Sequence, residues 1–242
     1  MSSKILFVFE GEVTEKKIAE NLSKYFISEN SVIQCAYCNN IYQLYKDISE
    51  DDDLDPFILL KEIPSNKEIL SIYSREDFAE VYLFFDYDGH DTFADDNKVL
   101  EVLGFFNEET LFGRLYISYP MIESLRHYSE LIDFKNLKVS AKENIRYKQI
   151  VNNEAKNELK QVKKYTKRIW IELIELHLKK MNYIVNDYYS LPPNNISQET
   201  IFLNQLEKFI KIDSTIAVLC AFPVFLFDYY GPRYINNLFE EP

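Results

Sequence analysis

Three acidic residues stand directly after two short apolar runs. Glu10 follows the run Ile5–Phe9. Asp86 follows the run Val81–Phe85, and Asp88 comes two residues later. Five apolar residues in a row are typical of a strand that is buried on both faces. Residues two apart in an extended chain point to the same side, so Asp86 and Asp88 can share one ion. Because carboxylates suit Mg²⁺ and Mn²⁺, the spacing predicts a divalent metal site. The simpler alternative is a strand that ends in solvated aspartates beside a glycine turn.

The two acidic motifs gain significance when they are taken together. In an open α/β sheet, ligands bind outside the carboxyl ends of the strands. If the two strands are neighbours and parallel, Glu10, Asp86 and Asp88 meet at one edge of the sheet. Carboxylates at that edge would repel one another unless a divalent cation or a shifted pKa relieved the repulsion. The pair of motifs therefore favours a metal centre more strongly than either motif does alone.

The surrounding segments predict an α/β fold with a mostly parallel sheet flanked by helices. The strand at 4–9 is followed by helical spacing from Thr14 to about Ser28 and by a strand over 31–37, which makes a β-α-β unit. Further N-terminal elements are predicted as helices over 39–49, 66–76 and 97–106 and a strand over 111–118. These elements constitute an expected α/β domain over residues 1–130.

Residues 131–242 are expected to be mostly helical. Apolar residues between Leu159 and Leu176 recur every three or four positions, which predicts one long amphipathic helix. Two more helices are predicted over 197–212 and 215–230. We therefore expect a helical C-terminal portion after the α/β domain.

Composition limits the classes of protein to which the chain can belong. Of its 242 residues, 47% are hydrophobic and 15% aromatic, which is ample for a core. The formal net charge of −12 argues against a general polyanion binder, although carboxylates that hold divalent ions would account for part of it. The longest apolar run, Ile216–Phe227, contains Pro223 and is too short to span a membrane. No targeting segment is recognisable.

The cysteine pattern does not indicate disulfide, redox or zinc chemistry. Cys35 and Cys38 form a single C-x-x-C motif with no second pair and no nearby histidine. We therefore expect a reduced cytoplasmic protein that is not inserted in a membrane.

The order and strand context of the acidic motifs resemble the TOPRIM superfamily of nucleotidyl-transfer and hydrolysis domains. That family has a glutamate-glycine after its first strand and an aspartate-x-aspartate after a later one, as Glu10-Gly11 and Asp86-Tyr87-Asp88 stand here. The resemblance covers roughly residues 4–125. Within the superfamily, the segment 10–15, the position of His90 and the segment 118–123 resemble RloB-like and AbiLii-like anti-phage defence proteins. AriB-like effectors and OLD-family nucleases are more distant.

The resemblance implies phosphodiester cleavage assisted by divalent metal. Glu10, Asp86 and Asp88 would hold one or two Mg²⁺ or Mn²⁺ ions, with Glu15 and Glu123 contributing. His90 is a candidate for proton transfer, and the alternative is a structural histidine in a turn. Glu12 is expected to face solvent. Water is the expected nucleophile, because no tyrosine among the 18 can be singled out.

Basic residues in the C-terminal portion are candidates for binding nucleic acid. Tyr147 and Tyr165 lie among them and would be available to stack on bases. The alternative is a solvated helix face. His127 and His177 are expected on helix faces. The candidate phosphate-binding residues are Arg146, Lys148, Lys163, Lys164, Lys167 and Arg168.

These observations lead to two main hypotheses of function. The first is a toxic nuclease of DNA or tRNA in an abortive-infection system, active alone, as a homodimer or with a partner. That partner would be a separate ABC-type or SMC-like ATPase, since the chain has no nucleotide-binding loop. The second is a non-catalytic TOPRIM-like protein that docks on such an ATPase through its helical portion. A phosphatase is a weaker third hypothesis, because that class would have an aspartate where Glu10 stands.

Overall fold

The chain consists of two compact units. In the computed structural model, the described residues are 4–11, 13–27, 33–38, 40–50, 54–87, 96–143 and 145–240. The first unit comprises Met1–Phe85 and Asn97–Leu115, and the second comprises Asp86–Asp96 and Tyr116–Pro242. The predicted α/β class is confirmed, with a mostly parallel sheet flanked by helices. The predicted domain boundary near residue 130 falls inside the second unit and stays a prediction.

Within the described ranges, the main sheet has five strands in the order β2-β1-β3-β5-β4. Strand β1, second in this order, pairs in parallel with β2 and with β3, whereas β4 and β5 are antiparallel to each other. Each predicted strand has a counterpart, but the strand expected over 111–118 begins only at Gly113, and residues 31–32 of the strand expected over 31–37 lie outside the described residues. Strand β3 is longer than the apolar run that predicted it. The strands are β1 (Lys4–Phe9), β2 (Ile33–Tyr37), β3 (Phe78–Asp86), β4 (Asn107–Glu108) and β5 (Gly113–Ser118).

Strand β1 is buried on both faces, which explains its unbroken apolar run. Residues Ile5–Phe9 are each at most 1% exposed. The Phe7 ring contacts the Phe84 ring edge-on, with 5.1 Å between the ring centroids. Beyond the strand, the Glu10 N–H donates to the Phe84 carbonyl at 3.3 Å. The pairing of β1 with β3 therefore extends to the first residue of the acidic motif.

In the described part of the first half of the chain, five α-helices begin. The predicted helix over 66–76 is wrong in its second half, because α4 ends at Leu70 and a separate 3-10 turn occupies 75–77. This turn starts where the Ser74 N–H donates to the Asp77 carboxylate at 2.8 Å. The helices are α1 (Thr14–Phe26), α2 (Ile41–Glu50), α3 (Pro56–Glu62), α4 (Lys67–Leu70) and α5 (Asp96–Phe105).

The second unit is mostly helical, with a small antiparallel ribbon. A π-helical turn over Leu206–Ile210 joins α8 to α9. The ribbon consists of β6 (Lys138–Ser140) and β7 (Thr215–Ala217). The helices are α6 (Tyr147–Glu154), α7 (Lys167–Asn186), α8 (Gln198–Gln205), α9 (Lys211–Asp213) and α10 (Ala221–Glu240).

Two predicted helices begin later than expected. The long helix expected from Leu159 begins at Lys167, because the Thr166 hydroxyl accepts the Ile169 N–H at 3.4 Å and caps it. The preceding residues form 3-10 turns over 157–160 and 162–164. The helix expected from Thr215 begins at Ala221. Residues before it are extended because the Gln205 amide hydrogen-bonds both backbone groups of Ala217, at 2.8 and 2.9 Å.

Helix α10 changes character along its length. Its first part, Ala221–Phe227, is almost entirely buried. Gly231 then adopts a left-handed φ of 77°, immediately before Pro232, and interrupts the helical geometry. No helix among the described residues combines the length and the apolar character that crossing a membrane requires.

Candidate metal centre

The first part of the candidate centre is the Glu10-Gly11 motif of the first unit. Glu15, in the first turn of α1, is 7% exposed and its carboxylate lies against Gly11. A Cβ atom placed on Gly11 would be 2.5 Å from Glu15 Oε1 and 2.6 Å from Oε2. Only glycine leaves room for this carboxylate beside the backbone. Glu10, the preceding residue, is half-buried. The first unit therefore brings Glu10 and Glu15 to the end of β1.

Cys38 lies beside this motif. Its N–H donates to the Phe9 carbonyl at 2.8 Å, and its thiol donates to the Asn40 carbonyl at 3.6 Å. Burial raises the pKa of the Cys38 thiol to about 11, and the charge of Glu10 adds to this rise. Near neutral pH the thiol is protonated, and a protonated thiol is a poor nucleophile and a poor metal ligand.

Asp86 belongs to the second unit, and it is half-buried as the last residue of β3. The next residue anchors the chain: the Tyr87 N–H donates to the Ser118 carbonyl at 2.9 Å. The Tyr87 ring lies 5.9 Å from the Tyr119 ring, between centroids. Nearby, burial raises the pKa of the Cys220 thiol to about 12, and the Asp86 charge contributes to this rise.

Glu123 is a buried carboxylate of the second unit. It lies on the 3-10 turn Ile122–Arg126 and is 4% exposed. One oxygen, Oε1, is 3.5 Å from the Lys148 Nζ atom. The other, Oε2, has no hydrogen-bond partner among the described residues. A buried oxygen without a donor is costly, and a hard divalent cation is one ligand that would satisfy it. The donor set therefore suits Mg²⁺ or Mn²⁺.

The structure describes only some of the residues of the predicted centre. Asp88 and His90 lie outside the described residues, as does Glu12. Glu10 and Glu15 belong to the first unit, whereas Asp86 and Glu123 belong to the second. Over the described ranges, no three His, Cys, Asp or Glu side chains are grouped closely enough to hold a metal ion. The complete metal centre thus stays a prediction.

The predicted nucleic-acid-binding residues are exposed, but they do not share one element. Lys163 and Lys164 lie on a 3-10 turn, and Lys167 and Arg168 lie in the first turn of α7. Arg146 has a left-handed φ of 51° immediately before α6, where Lys148 reaches Glu123.

The two tyrosines that were expected to stack on bases are not available for that role. Tyr147 is 5% exposed and Tyr165 is 1% exposed. The Tyr165 hydroxyl donates to the Leu159 carbonyl at 2.7 Å, which holds the ring inside the turn before α7. The prediction of base stacking by these two residues is therefore wrong.

Sequence reasoning missed a hydrogen-bonded group centred on His127. This residue follows the 3-10 turn instead of lying on a helix face, and it is 1% exposed. Its Nδ1 atom is 2.9 Å from the Tyr147 hydroxyl, and its Nε2 atom is 2.9 Å from Glu154 Oε2. These partners lie 20 and 27 residues away along the chain, so no local pattern could have revealed them.

His177 has a different environment. It is fully buried on α7, and its Nδ1 atom accepts the Cys220 N–H at 3.1 Å. Burial lowers the pKa of His177 to about 3. The residue is therefore neutral near physiological pH, and its role is structural.

No family model, no curated protein and no solved structure matches the chain. The interpretation of the site therefore depends on the residues described above and on the resemblance of the two acidic motifs.

Proposed function

We propose that this protein is a metal-dependent nuclease of the TOPRIM kind that cleaves phosphodiester bonds in DNA or tRNA. In this proposal Glu10, Asp86 and Asp88 hold Mg²⁺ or Mn²⁺, and Glu15 and Glu123 support them. The observation that carries the proposal is the Glu15 carboxylate, which lies against Gly11 directly after the Glu10 strand end. The assignment of Asp86 and Asp88 to the same centre comes from the sequence pattern.

Physical chemistry favours a cation beside these residues. Glu15 is 7% exposed and Glu10 is half-buried, so both carboxylates have lost part of their hydration. Desolvation and mutual repulsion raise the free energy of two neighbouring carboxylates. A bound divalent ion would offset that cost. The carboxyl ends of parallel strands are also where α/β sheets hold their ligands.

The chemistry divides between the ion and the chain. When bound, a divalent ion neutralises phosphate charge and lowers the pKa of a bound water. The carboxylates bind and orient the ion, and the exposed Lys163, Lys164, Lys167 and Arg168 side chains attract the phosphate backbone. We further propose that a separate ATPase of the ABC or SMC-like type controls this activity in anti-phage defence.

Cleavage of supercoiled plasmid and of bulk tRNA by the purified chain, with Mg²⁺ or Mn²⁺, tests the proposal. The variants Glu10→Gln and Asp86→Asn remove one ligand charge each, and we expect their rates to fall at least about a hundredfold. Glu20→Gln is the matched control, because Glu20 is exposed on the same helix as Glu15. We expect this control to cut like the wild type.

Two outcomes would count against the proposal. Equal cutting by wild type and Glu10→Gln would contradict the assigned ligand. If no protein cuts, calorimetric titration with Mn²⁺ separates the remaining cases. Binding by wild type that Glu10→Gln loses would indicate a nuclease that is silent without its partner, whereas no binding by wild type would contradict the metal centre itself.

A further inference from the structure

A cavity of about 670 Å³ lies within the second unit, between the end of α7 and the start of α8. Its volume falls in the range of small-molecule sites, roughly 300–1,000 Å³. Asn182 and Asn186 line it from α7, and Tyr188, Asn194 and Asn195 line it from the segment that connects the two helices. The proposed nuclease activity does not use this cavity, which we call the α7–α8 cavity.

Hydrogen bonds fix the walls of the α7–α8 cavity. The Asn182 Nδ2 atom donates to the Ser190 carbonyl at 3.0 Å and to the Ser190 hydroxyl at 3.2 Å, so the connecting segment is tied back to α7. On the other side, the Ser197 hydroxyl accepts the Thr200 N–H at 3.1 Å and caps α8. The cavity is therefore formed before any ligand enters it.

The lining of the cavity carries no formal charge. Among the described residues that line it, none is Asp, Glu, Lys or Arg. The neighbouring carboxylate, Asp187, is paired outside this lining, because the Lys208 Nζ atom donates to both of its oxygens at 3.1 Å. An ionised ligand that leaves water for a cavity needs an opposite charge to compensate. The lining therefore favours a neutral ligand over a phosphate, a carboxylate or an ammonium group.

Side-chain amides and one tyrosine ring are available to such a ligand. Asn194 and Asn195 are exposed, and no hydrogen bond joins their side chains to the described part of the chain. Asn186 donates one amide proton to Asn182 Oδ1 at 2.8 Å and retains a second proton and its carbonyl oxygen. Tyr188 is 71% exposed, so its ring can stack on a flat ligand. The cavity thus combines paired donors and acceptors with an aromatic face.

The chemistry of these groups matches a nucleobase. An amide has a donor beside an acceptor, and adenine has the complementary pair at N7 and N6. Guanine pairs best with Arg or Lys and the cytosine amino group with Asp or Glu, and the described lining contains none of these. Unpaired bases are commonly held by stacking on aromatic rings such as that of Tyr188.

We propose that the α7–α8 cavity binds an adenine base, stacked on Tyr188 and hydrogen-bonded by the amides of Asn186, Asn194 and Asn195. The base belongs either to a free nucleoside or to an unpaired residue of a strand. The second source rests on the proposed function, because the strand would be the substrate of the nuclease. The affinity of the cavity for the base itself does not depend on cleavage or on metal.

Titration of the full chain with adenosine, guanosine, cytidine and uridine in EDTA, followed by NMR, tests the inference. We expect adenosine to bind at least about fivefold more tightly than each of the others. Uridine is the most stringent competitor, because uracil also has a donor beside an acceptor but a smaller ring for stacking. Tyr188→Ala should weaken adenosine binding at least about fivefold, whereas Tyr188→Phe retains the ring and should stay within about twofold of wild type.

A matched pair of double variants tests the amides. Asn194→Ala/Asn195→Ala should weaken adenosine binding and abolish the preference over uridine. Asn236→Ala/Asn237→Ala is the control, because these two asparagines are also adjacent and exposed but lie on α10, away from the lining. The control should bind adenosine like the wild type. Thermal unfolding checks that each variant folds.

Three results would overturn the inference: no binding of adenosine, equal binding of the four nucleosides, or unchanged binding by Tyr188→Ala. A strand then identifies the source of the base. With Ca²⁺ present, oligothymidine that contains one central deoxyadenosine should bind more tightly than plain oligothymidine if the base belongs to a strand. Equal binding of the two strands, together with tight binding of adenosine, would support a free nucleoside. A protein that binds adenosine without cutting would contradict the proposed function alone, and one that cuts without binding adenosine would contradict this inference alone.

Discussion

Gly11 acts through one neighbouring side chain. A methyl group there would meet the end of the Glu15 side chain, 2.5 Å from the new carbon atom. That side chain is flexible at its end and can swing away, so the fold need not change. The glycine therefore matters for where a carboxylate lies, more than for the stability of the strand or the helix.

We accordingly expect Gly11→Ala to separate function from stability. The free energy of unfolding should change by less than about 1 kcal/mol, whereas Mn²⁺ affinity should fall about tenfold as Glu15 is displaced. Urea unfolding and calorimetry measure the two quantities. In a Glu15→Ala background, Gly11→Ala should cause no further loss of affinity. A full tenfold loss in that background would show that the backbone, and not Glu15, is affected.

Lys180 carries a buried amino group without a carboxylate contact in the described part of the chain. It is 1% exposed, and its ammonium donates to the carbonyls of Phe134, Lys135 and Leu137 at 3.1, 2.6 and 2.9 Å. Burial lowers the pKa of Lys180 from 10.5 to about 7. Between these values the unfolded chain binds one more proton than the folded protein does. Stability therefore rises with pH in this window.

The variant Lys180→Met isolates this effect. Because methionine cannot donate to these carbonyls, whereas the mostly neutral amine at pH 8 can still donate two hydrogen bonds, we expect a loss of about 1–3 kcal/mol at pH 8. The stability difference between wild type and variant should grow from pH 7 to pH 8.5, by up to about 1.4 kcal/mol per pH unit. Urea unfolding at several pH values gives both curves, and their subtraction removes the contributions of the other groups. A flat difference would mean that the folded pKa is not lowered.

At the scale of single residues, the role of a side chain is easier to predict when its interaction partners are close to it in the sequence. Glu10 and Gly11 are only five and four positions before Glu15 in the chain, so their motif can be recognised from a short segment. The role of His127 depends on Tyr147 and Glu154, which only folding brings near. Because these partners are far from His127 in the sequence, no periodic pattern around the histidine indicates its role.

At the scale of elements, burial explains which predictions succeeded. Strands β1 and β3 were predictable because a strand buried on both faces must be apolar at every position. The start of α7 was not, because Leu159 in one 3-10 turn and Tyr165 directly after the next are both buried and continue the apolar spacing. The Thr166 cap marks where α7 begins, but a prediction from the spacing of apolar residues does not take capping into account.

The corrected start of α7 places two basic residues where they oppose the helix dipole. Lys167 and Arg168 lie in the first turn, at the positive end of the helix. We expect Lys167→Gln/Arg168→Gln to raise the free energy of unfolding by a few tenths of a kcal/mol, and to weaken binding of single-stranded nucleic acid. Thermal unfolding and fluorescence anisotropy measure these changes.

A matched pair of substitutions distinguishes the dipole from general charge. Lys163 and Lys164 lie on the preceding 3-10 turn, outside α7. Lys163→Gln/Lys164→Gln should weaken nucleic-acid binding to a similar degree without the gain in stability. If neither pair affects binding, the basic residues form a solvated surface, which was the alternative from the sequence.

At the scale of the whole molecule, the fold class was predictable from local patterns, whereas the two units are defined by contacts that local patterns do not show. Alternating strand and helix patterns are local, and they gave the α/β class correctly. The second unit takes in Asp86–Asp96 as well as the C-terminal part, which depends on packing between residues far apart in the chain. A boundary read from composition along the chain cannot represent a unit made of separate segments.

The negative net charge of the protein opposes the binding of nucleic acid. A formal charge of −12 repels a polyanion over roughly one Debye length, about 10 Å at 0.1 M salt. Binding of a labelled single-stranded oligonucleotide should therefore be weak in EDTA and at least about tenfold tighter with Ca²⁺, which also takes oxygen ligands. Anisotropy measures the affinity, and a gel checks that the oligonucleotide stays intact. Glu10→Gln should lose the gain from Ca²⁺, whereas Glu20→Gln should keep it. Equal affinity in EDTA and Ca²⁺ would mean that the basic residues alone hold the nucleic acid, with no metal bridging carboxylate and phosphate.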